Sequence, residues 1–417
     1  MSEGLANPSN LWEVKPLSDL ADAIQYGYTA KAKTDAAGIR YLRITDIQDD
    51  HVEWSTVPSC DVSEVESEKY LLAAGDLVFV RTGATVGKSF LIRGNIPKSV
   101  FASYLIRVRL RKHIDPRYVA HFFQSPSYWN QIAESSAGIG QPNVNGTKLA
   151  QIQIPVAPLD RQAEIVDELE KQFSRLDEAV ANLKRVKANL KRYKASVLKA
   201  AVEGRLVETE SGWRQVKLGE IALSVRNGYS QKPDGDAGTR IFRISAVRPM
   251  ELAIDDVRYL SGTLADYETF LAVAGDVLFT RYNGSRDYVG VCAVVPAGLP
   301  PTVYPDKLIR VRVPQDQLLP TFLVIAASTG AGRAFIESMI RTTAGQSGVS
   351  GTDIKAIPLT IPSVAEQTRI VAEVDRHLSI IREVEAEVDA NLQRAQALRQ
   401  ATLATAFAPN KTKGTTP

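Results

Sequence analysis

AAGDLVFVR, residues 73–81, returns as VAGDVLFTR at residues 273–281. The match extends in both directions. YLRITDI at 41–47 recurs as IFRISAV at 241–247, and YLIRVRL at 104–110 as KLIRVRV at 307–313. GQPNVNGTKLAQI at 140–152 recurs as GQSGVSGTDIKAI at 345–357, and LWEVKPLSDLA at 11–21 as GWRQVKLGEIA at 212–222. The order is the same in both series and the shift is always about two hundred residues. A period that long is one domain written twice, not a solenoid repeat. Duplication inside one chain predicts pseudo-two-fold symmetry, as in a fused dimer.

Within each copy, LRITDI, DLVFVR and SYLIRVRL are short β-branched or aromatic runs bounded by Gly, Pro and Asp, the mark of strands. PRYVAHFFQSPSYWNQIAE at 116–134 reads as helix between them. Each copy is therefore expected to hold a mixed α/β domain. A long helical segment follows. Leu169, Leu176, Leu183, Leu190 and Val197 recur every seven residues, with Val166, Phe173 and Val180 as companions. In the second copy Val374, Ile381 and Val388 share a seam with Val371, Leu378 and Leu392. Seven-residue apolar spacing with polar flanks predicts a narrow seam that one partner helix covers. About forty residues at 1.5 Å each give a helix of roughly 60 Å. The predicted fold is α+β: two homologous mixed α/β domains separated by two long antiparallel coiled-coil helices. The predicted segments are 1–158 and 206–363 for the domains, 159–205 and 364–409 for the helices, and 410–417 for a disordered tail.

The bulk numbers agree with a soluble chain of more than one domain: 417 residues, 44% hydrophobic, 23% charged. A net charge of +3 decides nothing about nucleic acid, because local patches outweigh the sum. Seven bases and no acid lie between Lys184 and Lys199, a stretch that either stays solvated or faces an acidic partner. Two cysteines cannot build a disulfide framework, and no Cys/His cluster has zinc spacing, so no metal site is expected. The N-terminus lacks the pattern of a signal peptide and no apolar run reaches spanning length, so the expected compartment is the cytoplasm, with no membrane partner.

Catalytic constellations are missing. The histidines form neither H-E-x-x-H nor a triad signature, and no G-x-G-x-x-G follows a strand. His121, in AHFFQ, reads as a core residue. Asp76 and Asp276 recur before a strand, where a turn explains them better than catalysis. RTGATVGKS at 81–89 resembles a phosphate-binding loop, but its G-x-x-x-G-K-S is one residue short of the spacing a phosphate cradle needs. A nucleotide-dependent enzyme using 83–89 and a purely structural coiled-coil scaffold remain as alternative readings.

The second copy answers for that loop. Arg81 and Arg281 match and Gly87 aligns with Gly290, but Lys88 aligns with Val291. A constant frame with a changing tip is the pattern of a recognition loop. Three such tips arise in each copy, and their residue types suit phosphates and base edges. In the first copy the DNA-contact candidates are Tyr28, Lys31, Lys33, Arg81, Thr82, Thr85, Lys88, Gln141, Asn143, Asn145 and Lys148. In the second they are Tyr229, Gln231, Lys232, Arg281, Tyr282, Asn283, Ser285, Arg286, Gln346, Ser347 and Ser350.

Taken together, the two domain starts WEVKPLSDLA and WRQVKLGEIA, the mid-domain pair GDLVFVR and GDVLFTR, the helix entries PLDRQAEIV and SVAEQTRIV, and the exit LKAAVEGRLV resemble the specificity subunits of Type I restriction-modification systems. The resemblance spans nearly the whole chain; the second exit, LATAFAPN, lacks the G-R-L of the first. It implies two target-recognition domains that each read one half of a bipartite site in double-stranded DNA, and helices that act as a ruler and dock two modification subunits. It implies no catalysis and no cofactor in this chain. S-adenosylmethionine would belong to adenine-methylating partner subunits, and ATP and Mg²⁺ to restriction subunits.

Overall fold

The computed structural model describes residues 12–33, 38–48, 50–83, 85–136, 144–209, 212–343 and 345–408. The proposed tail at 410–417, Gln141 and Asn143 lie outside them. The chain divides into two units: residues 1–183 with 390–417, and residues 184–389. The division falls inside both long helices, Leu159–Val202 and Val364–Ala406, so each unit owns a domain and part of each helix.

The two domains repeat one topology. In the first unit an antiparallel sheet has the order Ala21–Tyr26, Leu105–Leu110, Leu77–Val80, Ser89–Leu91. In the second the order is Ser224–Asn227, Leu308–Arg312, Val277–Thr280, Cys292–Val294. A second four-stranded sheet lies beside each, with one parallel pair: Ser99–Phe101 on Arg40–Leu42, and Thr302–Val303 on Thr239–Phe242. Each domain is closed by pairing its first strand with its last, Glu13–Pro16 on Gln153–Val156 and Arg214–Lys217 on Pro358–Ile361.

The continuous apolar run DLVFV now has a cause. Successive strand residues face opposite ways. Leu77 and Phe79 enter the core shared with the helices, beside Ile106, Val108 and Tyr118. Val78 and Val80 enter a second core with Leu42, Phe101 and Leu105. Val277 and Phe279 face one core and Leu278 another in the same manner. A sheet covered on both sides has no polar face, so its strands read as unbroken hydrophobic runs.

Inside this apolar layer sits a charged clamp. Asp76 is 2% exposed and accepts two hydrogen bonds from Arg109, from Nε and Nη2, both at 2.8 Å. Its carboxylate also accepts from the Ala73 N–H at 2.9 Å. Asp276 repeats each bond, from Arg312 at 2.7 and 2.9 Å and from the Val273 N–H at 2.9 Å. The preceding arginine of each R-V-R reaches back to the segment before the central strand: Arg107 donates to the Leu71 carbonyl at 2.6 Å, Arg310 to the Leu271 carbonyl at 2.9 Å. Asp76 and Asp276 are thus turn and framework residues.

A buried glutamine anchors each long helix. The Gln162 side chain donates to the Ala157 carbonyl at 2.7 Å and accepts from the Asp115 N–H at 2.9 Å. Gln367 donates to the carbonyls of Pro362 and Gln317 and accepts from the Leu319 N–H at 2.8 Å. Asp115 and Leu319 are the N-caps of the equivalent domain helices, so one amide ties two helix starts together in each unit.

Within each unit the helices pair antiparallel. In the first, Leu169 and Phe173 are buried in one core with Leu403 and Phe407, and Arg399 stacks 4.2 Å from the Phe173 ring while pairing with Asp177 at 2.7 Å. In the second, Tyr193 is hydrogen-bonded to His377 at 2.9 Å and Lys187 pairs with Asp389 at 2.6 Å. Val374, Ile381 and Val388 are buried; Leu176, Leu183 and Leu190 are half-buried. The basic stretch of the first helix therefore meets an acid of the second at Lys187.

Asp76→Ala strands the Ala73 N–H and frees Arg109, and should lower stability by about 3 kcal/mol; Asp276→Ala should do the same in its own unit. An unchanged denaturation midpoint would show that the clamp contributes nothing. Gly27 and Gly228 pass so close to a neighbouring strand that a Cβ would lie 2.3 Å and 2.2 Å from carbonyl oxygens. Alanine at either should cost at least about 2 kcal/mol, read by the same unfolding curves.

Candidate nucleic-acid interface

The stretch that resembles a phosphate loop is a β-hairpin loop. It joins antiparallel strands Leu77–Val80 and Ser89–Leu91, with the Gly87 N–H donating to the Val80 carbonyl and the Val80 N–H to the Lys88 carbonyl, both at 2.9 Å. A Walker-type nucleotide cradle needs a helix N-terminus after the loop, and here a strand follows. Residues 83–89 therefore do not form that cradle. Gly83 and Gly87 have φ of +92° and +82°. The Gly87 carbonyl accepts a hydrogen bond from buried Tyr128 at 2.6 Å, which seats the loop on the domain helices.

From that base the loop meets two others. The Arg81 carbonyl accepts from the Val144 N–H at 3.1 Å. The Arg81 guanidinium lies 4.9 Å over the Tyr26 ring, and the Tyr26 hydroxyl accepts from the Gly146 N–H at 2.7 Å. The segments around 26–33, 81–88 and 144–150 are thereby joined. The second unit keeps the Arg–Val bond and reaches its first loop by another route. The Arg281 carbonyl accepts from the Val349 N–H at 3.0 Å, and its guanidinium lies 4.6 Å over the Tyr282 ring. Arg281 also donates to the Asp306 carbonyl at 3.4 Å, and the Asp306 N–H donates to the Tyr229 carbonyl at 2.7 Å. Among the described residues neither Arg81 nor Arg281 joins an ion pair, and the Nε of each is buried without a hydrogen-bond partner.

The remaining candidates divide by environment. Lys31, Thr82, Lys88, Gln231, Lys232, Ser285 and Gln346 are exposed. Lys33 is exposed and paired with Asp61 at 2.6 Å, and exposed Arg286 donates to the Glu337 carbonyl at 3.1 Å. Thr85, Lys148, Tyr282 and Asn283 are half-buried, and the Asn283 side chain accepts from the Ser285 N–H at 2.9 Å. Tyr28 and Tyr229 are posts of the frame: their rings pack 5.3 Å from Tyr70 and 5.1 Å from Tyr267. Burial, then the Glu66 carboxylate, holds the Tyr28 hydroxyl above its usual range. Asn145 and Ser350 are helix N-caps, accepting from the N–H groups of Lys148 and Asp353. Ser347 is 6% exposed and shares a hydrogen bond with Thr342. Sequence reasoning missed Tyr26, whose one signal is its place directly before the matched Gly27-Tyr28.

Groups that could do other chemistry are occupied elsewhere. His121 is 6% exposed against Phe173; burial, reinforced by Arg93, Arg399 and Arg117, pulls it down to about 4. Burial pushes the Cys292 thiol up to about 12, so it is a packing residue. Among the described residues no group of three or more His, Cys, Asp or Glu is placed to hold a metal ion, and no helix is long and apolar enough to cross a membrane.

Known proteins share this arrangement. Residues 9–192 match the Type I restriction modification DNA specificity domain. The chain is 31% identical over 416 residues to the Type I restriction enzyme EcoKI specificity subunit of Escherichia coli K12, covering 95% of this chain and 88% of that one. It is 27% identical to the StySPI specificity subunit of Salmonella potsdam, covering 74% and 68%. In fold it is similar to a chain solved in a study of complex assembly and conformational transition of the type I R-M system, with TM-score 0.74, 17% identity and coverage of 97% and 100%. It is also similar to the HsdS subunit from Thermoanaerobacter tengcongensis, with TM-score 0.57, 18% identity and coverage of 98% and 100%. The duplicated domains, the shared helices and the identity across almost the full length agree: the chain belongs to the specificity subunits of Type I restriction enzymes.

Proposed function

We propose that this chain is the DNA-reading subunit of a Type I restriction-modification complex and contributes no catalytic group itself. Each unit reads one half of a split duplex sequence. The observation that carries this is the junction of three loops on the same frame in both units, with different tip residues in each. A sequence-independent binder has no reason to keep the frame and vary the tips. A reader of two different half-sites does. Exposed Lys31, Lys88 and Lys232 suit phosphates. The helices, which contribute to both units, set the distance between half-sites and carry the docking surface for two modification subunits. S-adenosylmethionine and the adenine methylation it supports are assigned to those partners, and ATP and Mg²⁺ to restriction subunits.

The direct test is co-expression with the modification subunit, followed by methylation mapping of genomic DNA. The expected result is adenine methylation at one split motif that disappears without this chain. An intact complex with no motif-specific methylation would overturn the proposal. In the same assay Arg81→Ala should reduce methylation by about tenfold or more while the protein melts normally, because Arg81 holds the loop junction. Undiminished methylation would remove Arg81 from the interface. Leu183→Asn combined with Leu190→Asn should abolish co-purification of the modification subunits, and normal assembly of that variant would rule out the helices as the dock.

A further inference from the structure

We infer that in the second unit the β-ribbon of strands Arg341–Thr343 and Gln346–Gly348 enters the DNA groove, with Arg341 and Gln346 reading base edges. This rests on the DNA-specificity reading above and assigns its contact residues. The ribbon is part of a three-stranded antiparallel sheet in the order Tyr282–Asn283, Gln346–Gly348, Arg341–Thr343. It turns through Gly345, whose φ is +77° and around which a Cβ would meet nothing within 4 Å.

Cross-strand partners in a ribbon share a face, and neighbours along a strand alternate. Thr342 is opposite Ser347 and their hydroxyls are 2.9 Å apart; Thr342 is exposed but Ser347 is only 6% exposed, so this face turns inward at Ser347. Arg341 is opposite Gly348, and Gly348 is opposite Tyr282, so these residues share the other face with Gln346. Gly348 must be glycine there. A Cβ would sit 2.3 Å from the Tyr282 ring, which lies across the ribbon where no side chain stands. Arg281 stacks on that ring at 4.6 Å. The result is one row of arginine, aromatic ring, arginine and amide.

Two members of that row are free to reach outward. The Arg341 side chain is 70% exposed, and its one ion pair among the described residues, to Asp353, is long at 3.5 Å. Ser350 holds that carboxylate through its other oxygen, the N–H and hydroxyl donating to Oδ2 at 2.8 and 2.7 Å, while Arg341 faces Oδ1. Gln346 is exposed, and among the described residues no hydrogen bond engages its side chain. A two-stranded ribbon fits the major groove, where arginine pairs bidentately with guanine and glutamine with adenine.

The test is selection of bound duplexes from a randomised double-stranded DNA library by the purified full-length chain, read by sequencing. Wild type should enrich a split motif. Arg341→Ala should lose about tenfold of its preference at one base pair, and Gln346→Ala a similar factor at another. Both changes should fall in the same half of the motif, with the other half untouched. Arg341→Lys keeps the charge and loses the fork, so it should also relax that base pair while retaining most affinity; it carries the test together with Gln346→Ala if the alanine variant melts abnormally. Unchanged preferences, weakening spread evenly over both halves, or full preference restored by lysine would each overturn the inference. If wild type enriches no motif at all, the DNA-specificity reading itself fails and takes this inference with it.

Discussion

The pairing of Asp76 with Arg109, and of Asp276 with Arg312, is the constraint on which each unit rests. The carboxylate lies at the entrance of a strand buried on both faces, where an unpaired charge is not tolerated. Closing the pair fixes three things at once: the turn through Gly75 or Gly275, the start of the central strand, and the register of its neighbour. The recognition loop leaves the far end of that strand at Arg81 or Arg281. The geometry of the loop base is therefore set five residues upstream, by a contact that touches no ligand.

This separates two uses of arginine. Arg109 and Arg312 are neutralised inside the frame, and the Asp carboxylate each one grips raises its already high pKa further. Arg81 and Arg281 lean on tyrosine rings. A stacked guanidinium keeps its charge and most of its donors available, because the ring supplies attraction without occupying the N–H groups at its rim. The frame can therefore stay constant while its surface charge remains uncommitted.

Much of this was legible in the sequence. The duplication, the strand pattern and the heptad seam appear because they repeat, and repetition is visible without coordinates. The clamp was half visible: the Gly-Asp turn was read, but its arginine lies more than thirty residues away and only sheet pairing brings it close. Gln162 and Gln367 carried no signal, since an isolated glutamine in a helix looks like surface until its amide is found buried. Asn145 and Ser350 were legible in another sense. Asn or Ser just before a short helix is an N-cap pattern, and Ser350 with Asp353 forms a capping box; composition alone had suggested contact residues. Ser347 faces inward because strand alternation, not residue type, decides its side.

The two units are unequal as pieces of chain. The second is the continuous run 184–389, whereas the first needs residues from both ends of the sequence. Leu403 and Phe407 complete the core built around Tyr118, Phe122 and Leu169, and the Phe407 ring packs edge-on to Tyr118 at 5.1 Å. During synthesis, then, the domain that leaves the ribosome first is the last to close. Its apolar helix face stays open until the whole second unit has emerged, so the time of exposure is set by translation and not by its own folding rate.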